Sequence, residues 1–291
     1  MFRGRKLVKQ SIIERLKSAN YFRALFKKNR SKIYLVCESL ADEESRDVIK
    51  KIMRARTSWL RGNSYYWHNI ASGKCTEYSF TTEGGVEVYN AENQYFMHDF
   101  FELDYENLVM VDGGAYRGDT IEQLNLLSNG KFKFVYAFEP LKENYHVLER
   151  VIEKAQIRDK VTVFQIGLDN QQGISLFENQ GELAVAGAGQ YVEINTDIAS
   201  KYINLKMKYL PNFIKLDIEG KEKEVLMDLK EYISEREPDL AICIYHQVED
   251  LWEIPLMIKR INPKYEICIR HHSNFYTETV CYATVKCRHS I

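Results

Sequence analysis

The decapeptide VDGGAYRGDT at residues 111–120 constrains this chain more than any other stretch. It follows the apolar run Leu108–Val111 and sets an acid, close glycines and a second acid where a helix begins. A strand ending at Asp112 lets the glycine turn bring backbone N–H groups against a ligand. A helix opening near Gly118 adds its positive dipole end. The unit predicts a nucleoside cofactor at the rim of an α/β sheet.

A second apolar strand, Phe134–Phe138, ends in Glu139 and Pro140, where a carboxylate can accept both hydroxyls of a ribose. Nicotinamide-binding folds place an acid there too, but their G-x-G-x-x-G turn seats a pyrophosphate on the helix N-terminus. Here the spacing is D-x-G-x-x-x-G, from Asp112, Gly114 and Gly118. An anionic Asp112 repels a pyrophosphate, whereas it favours the ammonium and sulfonium of S-adenosylmethionine. The residues therefore predict a methyl-donor site.

At 291 residues the chain can bury one substantial core with room for a small second unit. Its 45% hydrophobic and 28% charged residues are ordinary for a globular protein. No apolar stretch approaches the roughly 18 residues that span a bilayer, and MFRGRKLVKQ lacks the apolar segment expected of a signal peptide. The six cysteines, at 37, 75, 243, 268, 281 and 287, form no C-x-x-C pair. Cys281, Cys287 and His289 fit no zinc spacing. These features predict a reduced, cytoplasmic protein without a transmembrane segment.

The net charge of −1 conceals an asymmetry. Residues 1–32 hold eleven Lys or Arg against Glu14 alone, and the remainder is net −11. Val8, Ile12, Leu16, Ala19, Phe22 and Phe26 recur at helical steps within that basic stretch. Such a helix can lie on the protein's own core with a solvated cationic face, the favoured reading. It can also touch anionic lipid or a partner, which would place the protein at the inner face of a membrane. The basic run has no nucleic-acid motif beside it, so no nucleic-acid partner is expected.

Ser39 and Asp42 form a capping pattern before a second helix whose buried face is Val48, Ile49, Ile52, Met53 and Trp59. Residues 1–90 read as an N-terminal helical and accessory region, and residues 91–291 as the catalytic domain. Residues 63–93 are rich in Tyr, Ser, Thr and Gly, with a turn at Glu83–Gly85 between short strands. From Leu108 onward, short apolar runs alternate with helical segments. This predicts an α/β fold with a mostly parallel sheet covered on both faces. Further strands are expected at 161–165, 213–216, 240–245 and 265–269, with 280–285 as an antiparallel partner. Helices are expected at 119–127, 143–155, 221–232 and 250–261. Between Gly173 and Pro211 the rhythm breaks, and Gly181, Gly187 and Gly189 suit a mobile flap or substrate loop. Ligands gather beyond the carboxyl ends of strands in such sheets. That rule puts Asp112, Glu139, Gly167, Asp217 and His246 on one rim.

With these residues in place, the chain from about residue 92 to 286 resembles the FkbM family of S-adenosylmethionine-dependent methyltransferases. The matching strings are QYF at 94–96, VDGGAYRGDT at 111–120, YAFEP at 136–140, FIKLDIEGKEKEVL at 213–226 and YHQVEDLWEIP at 245–255. Five motifs in order are specific, and the first 90 residues lie outside them. The resemblance implies a class I methyltransferase, Rossmann-like fold with a seven-stranded sheet. It also implies methyl transfer to a hydroxyl, often on a sugar or natural product. Carried over by position, it assigns Asp112, Gly114, Ala115, Gly118, Asp119 and Thr120 to the methionine end. Glu139 falls to the ribose, and Gly167 and Leu168 border the adenine.

Methyl transfer needs an in-line nucleophile held close to the methyl carbon, so positioning supplies most of the catalysis. An aliphatic hydroxyl also needs a neighbour to take its proton. His246, after the strand ending at Tyr245, is the first candidate base, since an ordinary imidazole titrates near pH 6.5. Asp217 and Glu219 in LDIEG stand two apart, where both carboxylates can reach one ligand. They can orient sugar hydroxyls or, with His246, bind a divalent ion such as magnesium or calcium, which nothing in the sequence requires. Otherwise Asp217 caps the following helix and Glu219 charges its first turn. His271 and His272 end another strand and read as supporting or surface residues, while Lys215 and Lys221 flank the acidic pair and balance its charge. Three readings stay open: a sugar-type O-methyltransferase, a nicotinamide-dependent oxidoreductase, and a non-catalytic S-adenosylmethionine-binding module. The expected acceptor is a small molecule or glycan, lipid-linked if the basic helix meets a membrane, and the sequence does not set the oligomeric state.

Overall fold

The structure, a computed structural model, describes residues 17, 19–57, 93–179, 190–273 and 277–285. In chain order its strands are β1 (Val109–Gly113), β2 (Phe134–Phe138), β3 (Val161–Phe164), β4 (Gly167–Asp169) and β5 (Gly173–Asn179). They continue with β6 (Gln190–Ile198), β7 (Phe213–Leu216), β8 (Asp239–Cys243), β9 (Glu266–His271) and β10 (Thr279–Thr284). The helices are α1 (Arg30–Ser39), α2 (Glu43–Thr57), α3 (Asp119–Leu127), α4 (Lys142–Lys154) and α5 (Ala199–Leu205). After them come α6 (Glu222–Asp228), α7 (Lys230–Arg236) and α8 (Asp250–Ile261).

Seven strands make one sheet in the order β3-β2-β1-β7-β8-β10-β9. Neighbours run parallel except β10, which is antiparallel to both β8 and β9. The seven-stranded, mostly parallel sheet expected from the alternating pattern is therefore present. The strands are short apolar runs because both faces are covered. In β1, Val109 and Val111 enter one core with α2, α6 and α8, while Met110 enters the other with α3 and α4. The second core is closed by an aromatic segment at 95–101, where Phe96 stacks on Phe213 at 5.6 Å.

The helical residues 19–28 bury Ala19, Phe22 and Phe26 and leave Arg23, Lys27 and Lys28 exposed. Phe26 meets the Trp252 ring edge-on at 6.1 Å, so the apolar face lies on the protein's own core. Residues 1–16, with Val8, Ile12 and Leu16 of the expected face, lie outside the described ones. Asp42 caps α2 by accepting the Ser45 N–H at 2.7 Å, and Ser39 Oγ instead donates to Val36 O at the end of α1. The same Asp42 is paired with Arg270 on β9 at 2.9 Å, and Ser45 Oγ accepts the Ile269 N–H at 2.8 Å. α1 and α2 are thereby joined to the sheet edge. Val48, Ile49 and Ile52 are buried as expected, Met53 is partly so, and Trp59 lies outside the described residues.

Within the stretch from Gly173 to Pro211, expected to suit a mobile flap or substrate loop, the described residues on either side of the glycines form strands. β5 and β6 pair antiparallel, from Gly173 opposite Thr196 to Asn179 opposite Gln190, and β4 joins β6 in a second, three-stranded sheet. Gly181, Gly187 and Gly189 lie outside the described residues, as do 63–92. The single helix expected over 221–232 divides at Leu229 into α6 and α7. There Asp228 is held from across the chain by Ser200 N–H and Oγ, at 2.7 and 2.8 Å. No described helix is long and apolar enough to cross a membrane.

Candidate active site

The carboxyl ends of β1, β2 and β7 meet at a cavity of about 780 Å³, a size suited to a small-molecule site. Its formation depends on Gly114, whose φ is +77° and where a Cβ would stand 1.8 Å from Asp217 O. The glycine lets the ends of β1 and β7 close on each other, and Gly114 N–H and Ala115 N–H both donate to Phe138 O at 3.0 Å. Gly118, at φ +92°, is the N-cap of α3, and a Cβ there would press Leu148 of α4 at 2.9 Å. Asp119 opens the helix, where an acid is favourable.

Of the expected cofactor residues, Gly114, Asp119, Thr120, Glu139, Gly167 and Leu168 line this cavity. Asp112, Ala115 and Gly118 stand behind the wall rather than in it. The Glu139 carboxylate accepts Tyr116 N–H at 2.9 Å and Leu141 N–H at 2.8 Å. Burial pushes its pKa up to about 7 against those bonds. Asn144 Nδ2 donates to the Leu141-bound oxygen as well, at 3.5 Å, and the oxygen bound by Tyr116 keeps a further lone pair for a ribose hydroxyl. The β5–β6 pair supplies the opposite wall through Leu176, Val192 and Ile194.

Asp112 is fully buried and opposite Lys215 in the β1–β7 register. Lys215 Nζ lies 2.9 Å from Asp112 Oδ1 and donates to Gly114 O at 2.7 Å. Burial alone would lower the lysine pKa, but Asp112 and Asp217 outweigh it and hold it above the ordinary value. The charge expected to greet a sulfonium directly is thus already neutralised.

The second cluster surrounds Asp217, which Tyr95 and Tyr245 each serve with a hydroxyl donor at 2.9 Å. Burial would raise its pKa, yet Lys215, His246 and the two tyrosines bring it below the ordinary carboxylate value. His246 Nε2 is 3.4 Å from both Asp217 and Glu219, and Nδ1 is 3.1 Å from Glu222. Burial favours the neutral imidazole, but Glu222, Asp217 and Glu219 raise its pKa to about 9. The surrounding carboxylates thus favour the imidazolium over the ordinary imidazole expected of a base. His246 also does not line the cavity, whereas Asp217 and Glu219 do.

Donor atoms of Asp217, Glu222 and His246 lie within 4.8 Å of one another, a grouping that can hold a cation. Both ring nitrogens face carboxylates, which suits an imidazolium and equally a histidine that ligates through one nitrogen while a carboxylate orients the other. His271 and His272 are buried and bonded to Thr279 and Tyr282, in supporting positions as expected. Sequence reasoning named no role for Tyr95, Tyr245, Gln94 or Glu278, although both tyrosines stood in the motifs QYF and YHQ. Gln94 and Glu278 line the cavity as well.

The methyltransferase FkbM domain family matches residues 112–259. No curated protein matches the chain. Among solved structures, the chain is similar to a methyltransferase FkbM from Methylobacillus flagellatus KT, with 24% identity and a TM-score of 0.68. That match covers 89% of this chain and 60% of the other, so this chain spans less than two thirds of that protein's length. It is also similar to Aeropyrum pernix fibrillarin in complex with natively bound S-adenosyl-L-methionine, at 12% identity and a TM-score of 0.44. This second match covers 67% of this chain and 76% of the fibrillarin.

Proposed function

Because the chain belongs to the FkbM methyltransferase family, we propose that it is an S-adenosylmethionine-dependent O-methyltransferase acting on a hydroxyl of a sugar or glycan. The observation that carries this reading is the shared wall of one cavity. Gly114, Asp119, Glu139 and Leu168, which suit a nucleoside and amino-acid moiety, line it together with Asp217 and Glu219, which suit an acceptor. When bound, S-adenosylmethionine supplies an electrophilic methyl group on a sulfonium. The turn at Gly114 fits such a guest, since its positive φ and lack of Cβ bring backbone close to the cavity. Asp119 at the start of α3 offers an anion to the guest's ammonium, and Glu139 accepts its ribose hydroxyls.

Asp217 is the fixed anion at the acceptor end, held by Tyr95, Tyr245 and His246 so that it can orient a hydroxyl without rotating. Glu219, half exposed, reaches the same region and suits a neighbouring hydroxyl. We read the Asp217, Glu222 and His246 cluster as one that shares a proton rather than a divalent ion, so turnover persists in excess EDTA. Calorimetric titration with S-adenosylhomocysteine against NAD tests the donor assignment, and tighter NAD binding refutes it. Transfer of labelled methyl to a glycoside panel tests the acceptor class, and label appearing only on nitrogen or carbon refutes that.

A further inference from the structure

In a parallel sheet the rim residues come from strand ends, but β10 runs antiparallel, so its beginning reaches the same rim. Val280 pairs with Cys243 at the carboxyl end of β8, and Glu278 stands just beyond, lining the cavity with Gln94, Tyr95 and Asp217. Its φ of +62° is a conformation that strains a residue bearing a Cβ. Such strain persists where surrounding structure enforces it, and it gathers at functional sites. The enforcement is visible. Glu278 O accepts His272 N–H at 2.9 Å, and Gln94 Nε2 donates to Glu278 Oε2. Tyr282 OH in turn donates to Gln94 O and meets His272 Nε2 at 2.5 Å.

Beside Glu219, the carboxylates of Asp217 and Glu278 thus line the cavity in different settings. Asp217 is surrounded by Lys215, His246 and two tyrosine hydroxyls and stays ionised. Lys215 and His246 also act on Glu278 through their charge, but the hydrogen bond to its carboxylate comes from the neutral amide of Gln94. Carboxylates whose environments are set apart in this way divide the acid–base duties of a site. We propose that Glu278 is the general base that takes the acceptor's hydroxyl proton, with Asp217 orienting that hydroxyl. The inference rests on the hydroxyl-methylating reading above. The acceptor oxygen forms its bond to the methyl carbon as the carbon–sulfur bond breaks with its electron pair left on sulfur. The proton passes to the Glu278 carboxylate, which becomes a neutral acid. Burial first, then the charge of Asp217, raises the Glu278 pKa to about 6. That value leaves it ionised yet basic near neutrality. The groups that face it are Asp217 and Lys215 from β7 and its end, Cys243, Tyr245 and His246 at the end of β8, and Tyr95.

The test has two arms on the full chain. Difference infrared titration of wild type against Glu278→Gln should show one carboxyl titrating at about pH 6. Asp217→Asn should move that midpoint down by removing a neighbouring charge. A midpoint in the ordinary glutamate range, unmoved by Asp217→Asn, overturns the proposal. In the second arm, methyl-labelled S-adenosylmethionine is offered with a panel of hexose and 6-deoxyhexose glycosides. Glu278→Gln should lower kcat by about 10²–10⁴-fold and abolish the acid limb of its pH profile, while S-adenosylhomocysteine still binds within about twofold. Wild-type kcat in Glu278→Gln, with the limb intact, removes Glu278 from the mechanism and leaves the proposed function standing. Label reaching no glycoside removes the acceptor reading, and the infrared arm then decides the titration of Glu278 by itself.

Discussion

The protonated His246 makes the sharpest prediction about stability, because its side chain is only 9% exposed and three carboxylates stand within 3.4 Å. A folded-state pKa of about 9 against about 6.5 in the unfolded chain corresponds to about 3 kcal/mol of linkage. The folded pKa is raised, so the folded chain holds the proton more tightly than the unfolded one. The stabilisation is therefore complete below about pH 6.5, declines as pH rises, and is gone above about pH 9. His246→Gln removes the titrating group and with it this dependence. Urea unfolding of wild type and His246→Gln, followed by circular dichroism at about pH 6 and again at about pH 10, should show the advantage of wild type shrinking by about 3 kcal/mol. Direct ¹⁵N titration of the imidazole should give a midpoint near 9. A midpoint near the model-peptide value, or a wild-type advantage independent of pH, refutes the imidazolium cluster and restores His246 as a candidate base.

Lys215→Met leaves Asp112 as a buried, uncompensated carboxylate, so it should cost about 3–5 kcal/mol in denaturant unfolding; adding Asp112→Asn should recover most of that loss. Gly114→Ala must leave φ +77° or displace Asp217 O. Strain alone is about 1–2 kcal/mol, and calorimetry should show weakened binding of S-adenosylhomocysteine together with a lower Tm. Burial would raise Asp42, but Arg270 and Ser45 hold its pKa at about 2. This depressed value stabilises the fold above about pH 4 and is lost as pH falls toward 2, so Arg270→Met should unfold at a higher pH on acid titration by circular dichroism.

The sheet and its helices were legible because their signals are local. Strands β2 and β7 and helices α3 and α8 appear with the boundaries expected from apolar periodicity and punctuation. The D-x-G-x-x-x-G spacing likewise announced a turn in which Gly114 must be a glycine, and the φ and the 1.8 Å clearance supply the reason. The β5–β6 pairing was hidden because a stretch of seven and nine residues with glycines between them reads as loop until another strand, β4, lines up beside it. The partnership of Asp112 with Lys215 was hidden as well, since it follows from the register of β1 against β7 and from nothing adjacent in the chain. Sequence thus determined which residues turn, alternate and carry charge. Tertiary structure alone decided which charges meet, which carboxylates surround His246, and that the backward-running β10 delivers Glu278 to the rim. Dihedral preferences and periodicity act over a few residues, whereas burial and charge pairing depend on segments that meet only once the sheet is assembled.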